Sequence, residues 1–345
     1  MAQSRLPADE FVLGIMARQN IPGLPLSVIT DGHIAVKSYG ERRAASGLFV
    51  NNETIFEAAS LSKPVFALLV LQLEQEKLID LDLPLHQYIP DSNAYGPDFF
   101  ESSEYLGITA RMVLTHTSGL PNGTPTPGAI HFLPGSRFAY SGTGFRFLHA
   151  AITEITAQSL TQLLDTYIFD PLDMNNSSFL WRDEFEQNST WGHDSDGEIG
   201  REILHLDSEF PEGGFVTNIS DYSIFVRFLL NEYEAANPVI RRMLEPAVEA
   251  RDYSTQGSMS WGLGWGIEEA ELGNRFWHTG SNGVFKTFAL GDPANKSALI
   301  FFANAENGLE IVPELLEQTI GATELSDDYQ RTISESRVFR PVIDN

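Results

Sequence analysis

Residues 56–74 read FEAASLSKPVFALLVLQLE, and two polar side chains stand at the mouth of an otherwise apolar run. From Pro64 to Lys77 the residues predict a helix apolar on nearly all sides, hence a buried one. Ser60 and Lys63 are three apart, so on a helical path they share a face. A serine hydroxyl is a poor nucleophile until a base takes its proton. A lysine becomes such a base when burial disfavours its charged form, and the apolar helix supplies that burial. The helix N-terminus would favour negative charge developing on Ser60. Pro64 is tolerated in a first turn, where backbone N–H groups lack partners. A plain serine cap followed by a surface lysine fits the stretch equally well.

Outward from this helix the chain is organised by its ends. Ala8 to Arg18 reads as an amphipathic helix, and LSVITDGHIAVKSYG as a hairpin around Asp31-Gly32. From about Asp80 to Ser208, helical pieces such as GFRFLHAAITEIT alternate with Pro/Gly/Asn-rich loops. A helix follows in SDYSIFVRFLLNEY. Strand signals return in SWGLGWGIEEAELGNRFWHTG and in VFKTFALGDPANKSALIFFANA, and LEIVPELLEQTIGA closes as a helix. The expected class is therefore α+β: one antiparallel β-sheet built from both chain ends, flanked by helices, with an inserted mainly helical subdomain. Residues 1–79 and 209–323 would form the sheet domain and 80–208 the helical subdomain, leaving 324–345 unassigned. A site is expected in the cleft between the two parts.

Composition narrows the function. The 345 residues are 42% hydrophobic, a globular composition, and no stretch approaches the roughly 20 apolar residues that span a bilayer. A net charge of -25 argues against nucleic acid or an anionic membrane as partner. Lysines number five, and with no cysteine in the chain disulfides and thiolate chemistry are excluded. The N-terminus lacks a leader pattern, so a cytoplasmic protein is expected, or a periplasmic or secreted one had a leader been trimmed. No cofactor is implied, and the oligomeric state is left open.

Two further stretches carry chemistry. In PGSRFAYSGTGF, Tyr140 stands between a turn and a helix start with Ser141 beside it. A phenol relays protons if nearby cations lower its pKa; otherwise such a Tyr is a packing residue. In FWHTGSNGVF, Gly280 would let a ligand approach, while Thr279, Ser281 and their N–H groups could bind an oxyanion. A hairpin loop is the plain alternative. His116 in LTHTSGLP is expected to tie a helix end to the following turn. HDSDGEIG has Gly at the wrong offset for a calcium loop. H-E-x-x-H, G-x-S-x-G and a Gly-rich phosphate loop do not occur.

The order S-x-x-K, then a Tyr motif eighty residues later, then H-T-G near the end resembles the serine β-lactamase and penicillin-binding protein superfamily. Y-S-G at Tyr140 is similar to the Y-x-N of its class C branch, with DD-peptidases, D-aminopeptidases and related esterases. FEAASLSK, KLIDLDLPLHQYIP, ITARMVLTHTSGLP, IFDPLDM and GGFVTNISDYSIFVRFLL resemble family text in family order, over roughly residues 8–320. The resemblance implies Ser60 as acylated nucleophile, Lys63 as its base and Tyr140 as proton shuttle. The N–H groups of Ser60 and Ser281 would form the oxyanion hole, and His278 would stand for the third-motif Lys. Gly142 stands where the family has an Asn that binds the substrate's acyl-amide. Both departures weaken recognition of an acylamino group and a carboxylate. The reading implied is a carboxylesterase on short acyl esters working through an acyl-enzyme. Alternatives are a D-amino-acid peptidase or amidase, a weak β-lactamase, an acyltransferase, or a binding protein without turnover.

Overall fold

The computed structural model describes residues 6–100, 102–123, 129–250, 259–270, 272–321, 323 and 325. Apart from Leu325, the unassigned tail from 324 lies outside them. Helix α1 (Asp9–Arg18) leads into β1 (Gly23–Thr30) and β2 (His33–Gly40). The hairpin turn holds Asp31 at φ 49° and Gly32 at φ 75°. Both central residues are thus left-handed, as a right-twisted two-residue hairpin requires. Helix α2 (Ser62–Gln75) follows, then α3 (Gly142–Thr156) and α4 (Ile219–Glu234). The remaining strands of the main sheet are β3 (Val248–Glu249), β4 (Met259–Trp261), β5 (Gly266–Ala270), β6 (Gly273–Ser281), β7 (Lys286–Asp292) and β8 (Ser297–Ala303), followed by α5 (Val312–Thr319).

These strands make one antiparallel sheet in the order β2-β1-β8-β7-β6-β5-β4-β3. The chain ends meet where β1 docks on β8, with Leu26 opposite Phe301. Alternation along β8 explains its apolar sequence. Ala298, Ile300 and Phe302 face the cluster that holds α2 and α4, whereas Leu299, Phe301 and Ala303 face the one that holds α1 and α5. A sheet covered on both faces needs apolar residues at every strand position.

Eleven of the fourteen residues of α2 are buried, from Ser62 through Leu71 and Leu73. Each large apolar side chain so buried contributes roughly 1.5–3 kcal/mol, so α2 is a fixed post at the centre of the molecule. The larger cluster runs from the sheet through Phe66 of α2 to Phe145 and Phe147 of α3. The 80–208 segment is helical in α3 and in short pieces such as Ala110–Leu114 and Leu160–Leu164. It also carries a small hairpin, Trp191–His193 with Ile199–Glu202. That hairpin occupies the HDSDGEIG stretch, where Asp194 Oδ1 accepts from the N–H groups of Asp196 and Glu198 and so serves the turn.

Candidate active site

Ser60 lies in a 3₁₀ turn, Ala59–Leu61, that runs into α2. Ala59 sits at φ 50°, a left-handed conformation that costs a non-glycine residue roughly 1 kcal/mol or more and persists only where the surroundings enforce it. Here they do. Thr287 on β7 donates to the Ala58 carbonyl at 2.8 Å, and Ala58 N donates to Phe215 O at 2.8 Å. Phe215 N in turn donates to Ser62 Oγ at 3.1 Å. Gly280 completes this seat in a way the sequence did not suggest. A Cβ there would lie 2.1 Å from Thr287 Oγ1 and 2.6 Å from Ala58 O. Its bareness lets the sheet press against the Ser60 turn, so the close approach is by the protein's own backbone.

Lys63 is 2% exposed, which removes the surface-lysine alternative. Its Nζ donates to Ser60 Oγ at 3.0 Å and to the Glu212 carbonyl at 2.6 Å. Burial brings the ammonium down to about 7, against the opposing pull of the Glu212 carboxylate. Near neutral pH the free amine of Lys63 is therefore accessible, beside the Ser60 hydroxyl.

Tyr140 meets Ser60 and His278, but its ionisation runs opposite to the sequence expectation. Burial pushes the phenol up, and the hydrogen bond from Ser60 only partly opposes it, so Tyr140 rests as a neutral hydroxyl. Lys63 Nζ lies over the face of its ring, 4.8 Å from the centre. A neutral hydroxyl can still accept one proton while giving up another. Its Oη is 3.4 Å from His278 Nε2. His278 Nδ1 is 2.7 Å from the Thr279 carbonyl, which can only accept, so Nδ1 carries the proton and Nε2 presents a lone pair. Burial, followed by the charge of Lys63, lowers His278 to about 3. The third-motif position thus holds no positive charge.

The other expected binding residues divide. Ser281 lines the cleft, its hydroxyl accepting from Lys286 Nζ at 2.6 Å. Thr279 contributes its carbonyl to His278. Ser141, expected to touch substrate, is instead the cap of α3. It is 1% exposed, and its Oγ donates to Pro121 O at 3.0 Å and accepts from Gly144 N at 3.0 Å. With the hydroxyl so occupied, it serves the helix end.

Ser60, Lys63, Tyr140 and Ser281 share a cleft of about 480 Å³, with apolar lining from Leu204, Leu206 and Phe210. Several of its residues were not found from sequence. Gly142 N donates to Asn122 Oδ1 at 3.1 Å, and a Cβ on Gly142 would lie 3.2 Å from Glu212 Cγ. Asn122 and Glu212 therefore fill the space that a larger side chain at 142 would use. The Glu212 carboxylate pairs with Arg146 on α3, and its Oε2 is buried without a hydrogen-bond partner among the described residues. Glu57, 2% exposed, accepts from both Arg201 nitrogens at 2.5 and 2.9 Å, from Asn282 Nδ2 at 2.9 Å and from Leu204 N at 2.9 Å. One buried carboxylate thereby holds both the loop after β6 and the start of the apolar lining. The neighbouring GGFVTN and HTSGLPN stretches were the available signals for Glu212 and Asn122.

Comparison with known proteins agrees with this architecture. The family model described as Beta-lactamase matches residues 8–321. A protein named Protein flp from Staphylococcus aureus (strain N315) is 21% identical over 91% of this chain, which spans 65% of that protein's length. A Beta-lactamase from Yersinia enterocolitica is 23% identical over 73% of this chain and 66% of its own. Among solved structures, the octameric penicillin-binding protein homologue from Pyrococcus abyssi has a TM-score of 0.79 at 22% identity, covering 95% of this chain and 80% of that one. D-alanine carboxypeptidase AmpC from Burkholderia cenocepacia has a TM-score of 0.74 at 19% identity, over 88% and 96%.

Proposed function

The chain belongs to the Beta-lactamase family, and from that premise we propose that it is a carboxylesterase acting on short, uncharged acyl esters through an acyl-enzyme on Ser60. The observation that carries this reading is the uncharged side chain at the third-motif position, His278. His278 is buried and uncharged near pH 7, and Arg146 is already paired with Glu212. A substrate carboxylate would find an uncharged ring at His278, the Lys286 ammonium being held by the Ser281 hydroxyl, and an acylamino group would find no side chain on Gly142. An apolar acyl group would find Leu204, Leu206 and Phe210.

In this mechanism the free amine of Lys63 takes the Ser60 proton as the hydroxyl attacks the ester carbonyl. The backbone N–H groups of Ser60 and Ser281 receive the oxyanion. The Tyr140 hydroxyl passes its proton to the departing alcohol and later recovers one from the water that releases the acid, while Lys63 returns its proton to the departing Ser60 oxygen. His278 Nε2 offers that hydroxyl a fixed acceptor, which keeps the relay oriented without adding charge.

One observation favours a second reading. The buried, unpartnered Glu212 Oε2 is an acceptor that a substrate ammonium would satisfy, as in a D-amino-acid peptidase. Turnover of p-nitrophenyl acetate, D-alanine p-nitroanilide and nitrocefin separates the readings. Rapid hydrolysis of the acetate alone is expected. Preference for the anilide transfers the assignment to the peptidase, and preference for nitrocefin to a β-lactamase. If a fluorophosphonate leaves Ser60 unmodified by mass spectrometry, the nucleophile assignment fails.

A further inference from the structure

The segment His116–Gly123 runs beside the Tyr140 loop and holds it at every step. Ala139 N donates to the His116 carbonyl at 2.8 Å, and Ser141 N donates to His116 Nδ1 at 3.0 Å. Beyond them Ser141 Oγ reaches Pro121 O at 3.0 Å, Gly142 N reaches Asn122 Oδ1 at 3.1 Å, and Thr143 Oγ1 reaches Gly123 O at 3.3 Å. The two N–H groups that flank Tyr140 thus both end on one residue, His116. Its ring also lies against the Tyr140 ring, 4.2 Å between centroids at 32°.

His116 holds this place at a cost. It is fully buried, and its backbone sits at φ 54°, a strained value for a residue with a Cβ. Because Nδ1 accepts from Ser141, Nε2 carries the proton. That N–H is buried and has no hydrogen-bond partner among the described residues. A buried unsatisfied donor costs about 1–3 kcal/mol. Burial and the nearby Lys63 both hold the imidazole neutral, so no added charge repays that cost. An apolar side chain would fill the site without the penalty, but it would give Ser141 N nothing to bind.

We propose that His116 is a positioning residue for proton transfer: it clamps the backbone on both sides of Tyr140 and backs its ring, fixing the phenol oxygen between Ser60 and His278. The inference rests on the serine-hydrolase reading and deepens it. It implies that His116 acts only through Tyr140. Displacing a relay by about 1 Å can cost on the order of 10²-fold in rate, which sets the scale.

The test is a double-mutant cycle read by kcat on whichever of p-nitrophenyl acetate, D-alanine p-nitroanilide and nitrocefin the wild type hydrolyses, because release of the acyl group from Ser60 uses the Tyr140 relay. His116→Phe keeps a ring against Tyr140 but removes the acceptor for Ser141 N. His116→Asn restores an acceptor at the position of Nδ1 without the ring. Expected are a loss of roughly 10- to 100-fold in His116→Phe, a smaller loss in His116→Asn, and less than about threefold further loss when His116→Phe is added to Tyr140→Phe. If His116→Phe fails to give a cooperative unfolding transition, the same cycle is run with His116→Asn. A loss that multiplies undiminished in the Tyr140→Phe background overturns the proposal, because the residue then acts on the fold and not on the relay. A wild-type protein whose Ser60 is never labelled sinks the hydrolase reading, and this inference with it.

Discussion

Replacing Lys63 by Met should make the protein more stable near neutral pH while removing its turnover. The ammonium has an ordinary pKa of 10.5 and is brought down to about 7 in the fold, burial being the main cause. Between those two values the unfolded chain holds a proton that the folded chain has released, so stability rises with pH across the window. Every tenfold loss of proton affinity on folding corresponds to about 1.4 kcal/mol. From pH 7, where Lys63 is half protonated in the fold, to pH 9 the gain is about 2 kcal/mol. At pH 7 the remaining penalty relative to a freely ionised lysine is roughly 4 kcal/mol. Met has similar volume but leaves the Glu212 carbonyl unpaired, which returns about 1–3 kcal/mol. The variant should therefore be more stable by about 1–3 kcal/mol at pH 7. Urea unfolding of both proteins at pH 7 and pH 9 measures this directly. Burial is the main cause that keeps His116 and His278 uncharged, so between pH 7 and pH 9 the loss of the Lys63 charge beside them adds little to the difference. Stability curves that run parallel between pH 7 and pH 9 would show that Lys63 is not the depressed group, and the base assignment would go with it.

The same amine should set the acid side of the activity profile, with kcat/KM falling tenfold per pH unit below about pH 7; a flat profile from pH 5 to 8 refutes it. Tyr140→Phe should lower kcat on the order of 10²-fold with the fold intact, and near-normal rates remove Tyr140 from the mechanism. His278→Lys should place a second buried cation beside Lys63, shifting that acid limb to lower pH while lowering KM for carboxylate-bearing esters. An unmoved limb would mean that position 278 does not communicate with Lys63. Gly280→Ala should destabilise by roughly 1–3 kcal/mol or more and reduce Ser60 labelling, since the added methyl meets Thr287 and the Ala58 carbonyl; wild-type melting and labelling would contradict the close approach.

Legibility in the sequence followed the locality of each signal. Ser60 and Lys63 lie one turn apart, so their meeting is local, and the structure adds the 3₁₀ turn that seats Ser60 and the burial that tunes the amine. Tyr140 was recognisable from its stretch, yet the direction of its ionisation was not. Nearby cations would have lowered the phenol, but enclosure raises it, and enclosure is decided by segments distant in sequence. Ser141 shows a related ambiguity: a polar side chain at a helix entrance can face either a ligand or its own N-terminus, and only the path of Pro121 settles it. Glu57, Asn122, Arg146, Glu212 and Asn282 are ordinary polar residues in sequence. Their importance lies in what stands opposite them, 20 to more than 200 positions away.

The sequence alone determined the antiparallel sheet from both chain ends, because strand-length apolar runs with short turns such as Asp31-Gly32 stand at both ends of a helical middle, and it determined the closeness of Ser60 and Lys63. Tertiary structure decided the chemistry those residues can perform. It buried Lys63 to make an amine near neutral pH and buried His278 to keep the third motif uncharged. By leaving Gly280 bare, it also let the sheet close on the Ser60 turn. The physical reason is that spacing and periodicity are carried along the chain, whereas pKa values and steric gaps arise from groups that folding brings together.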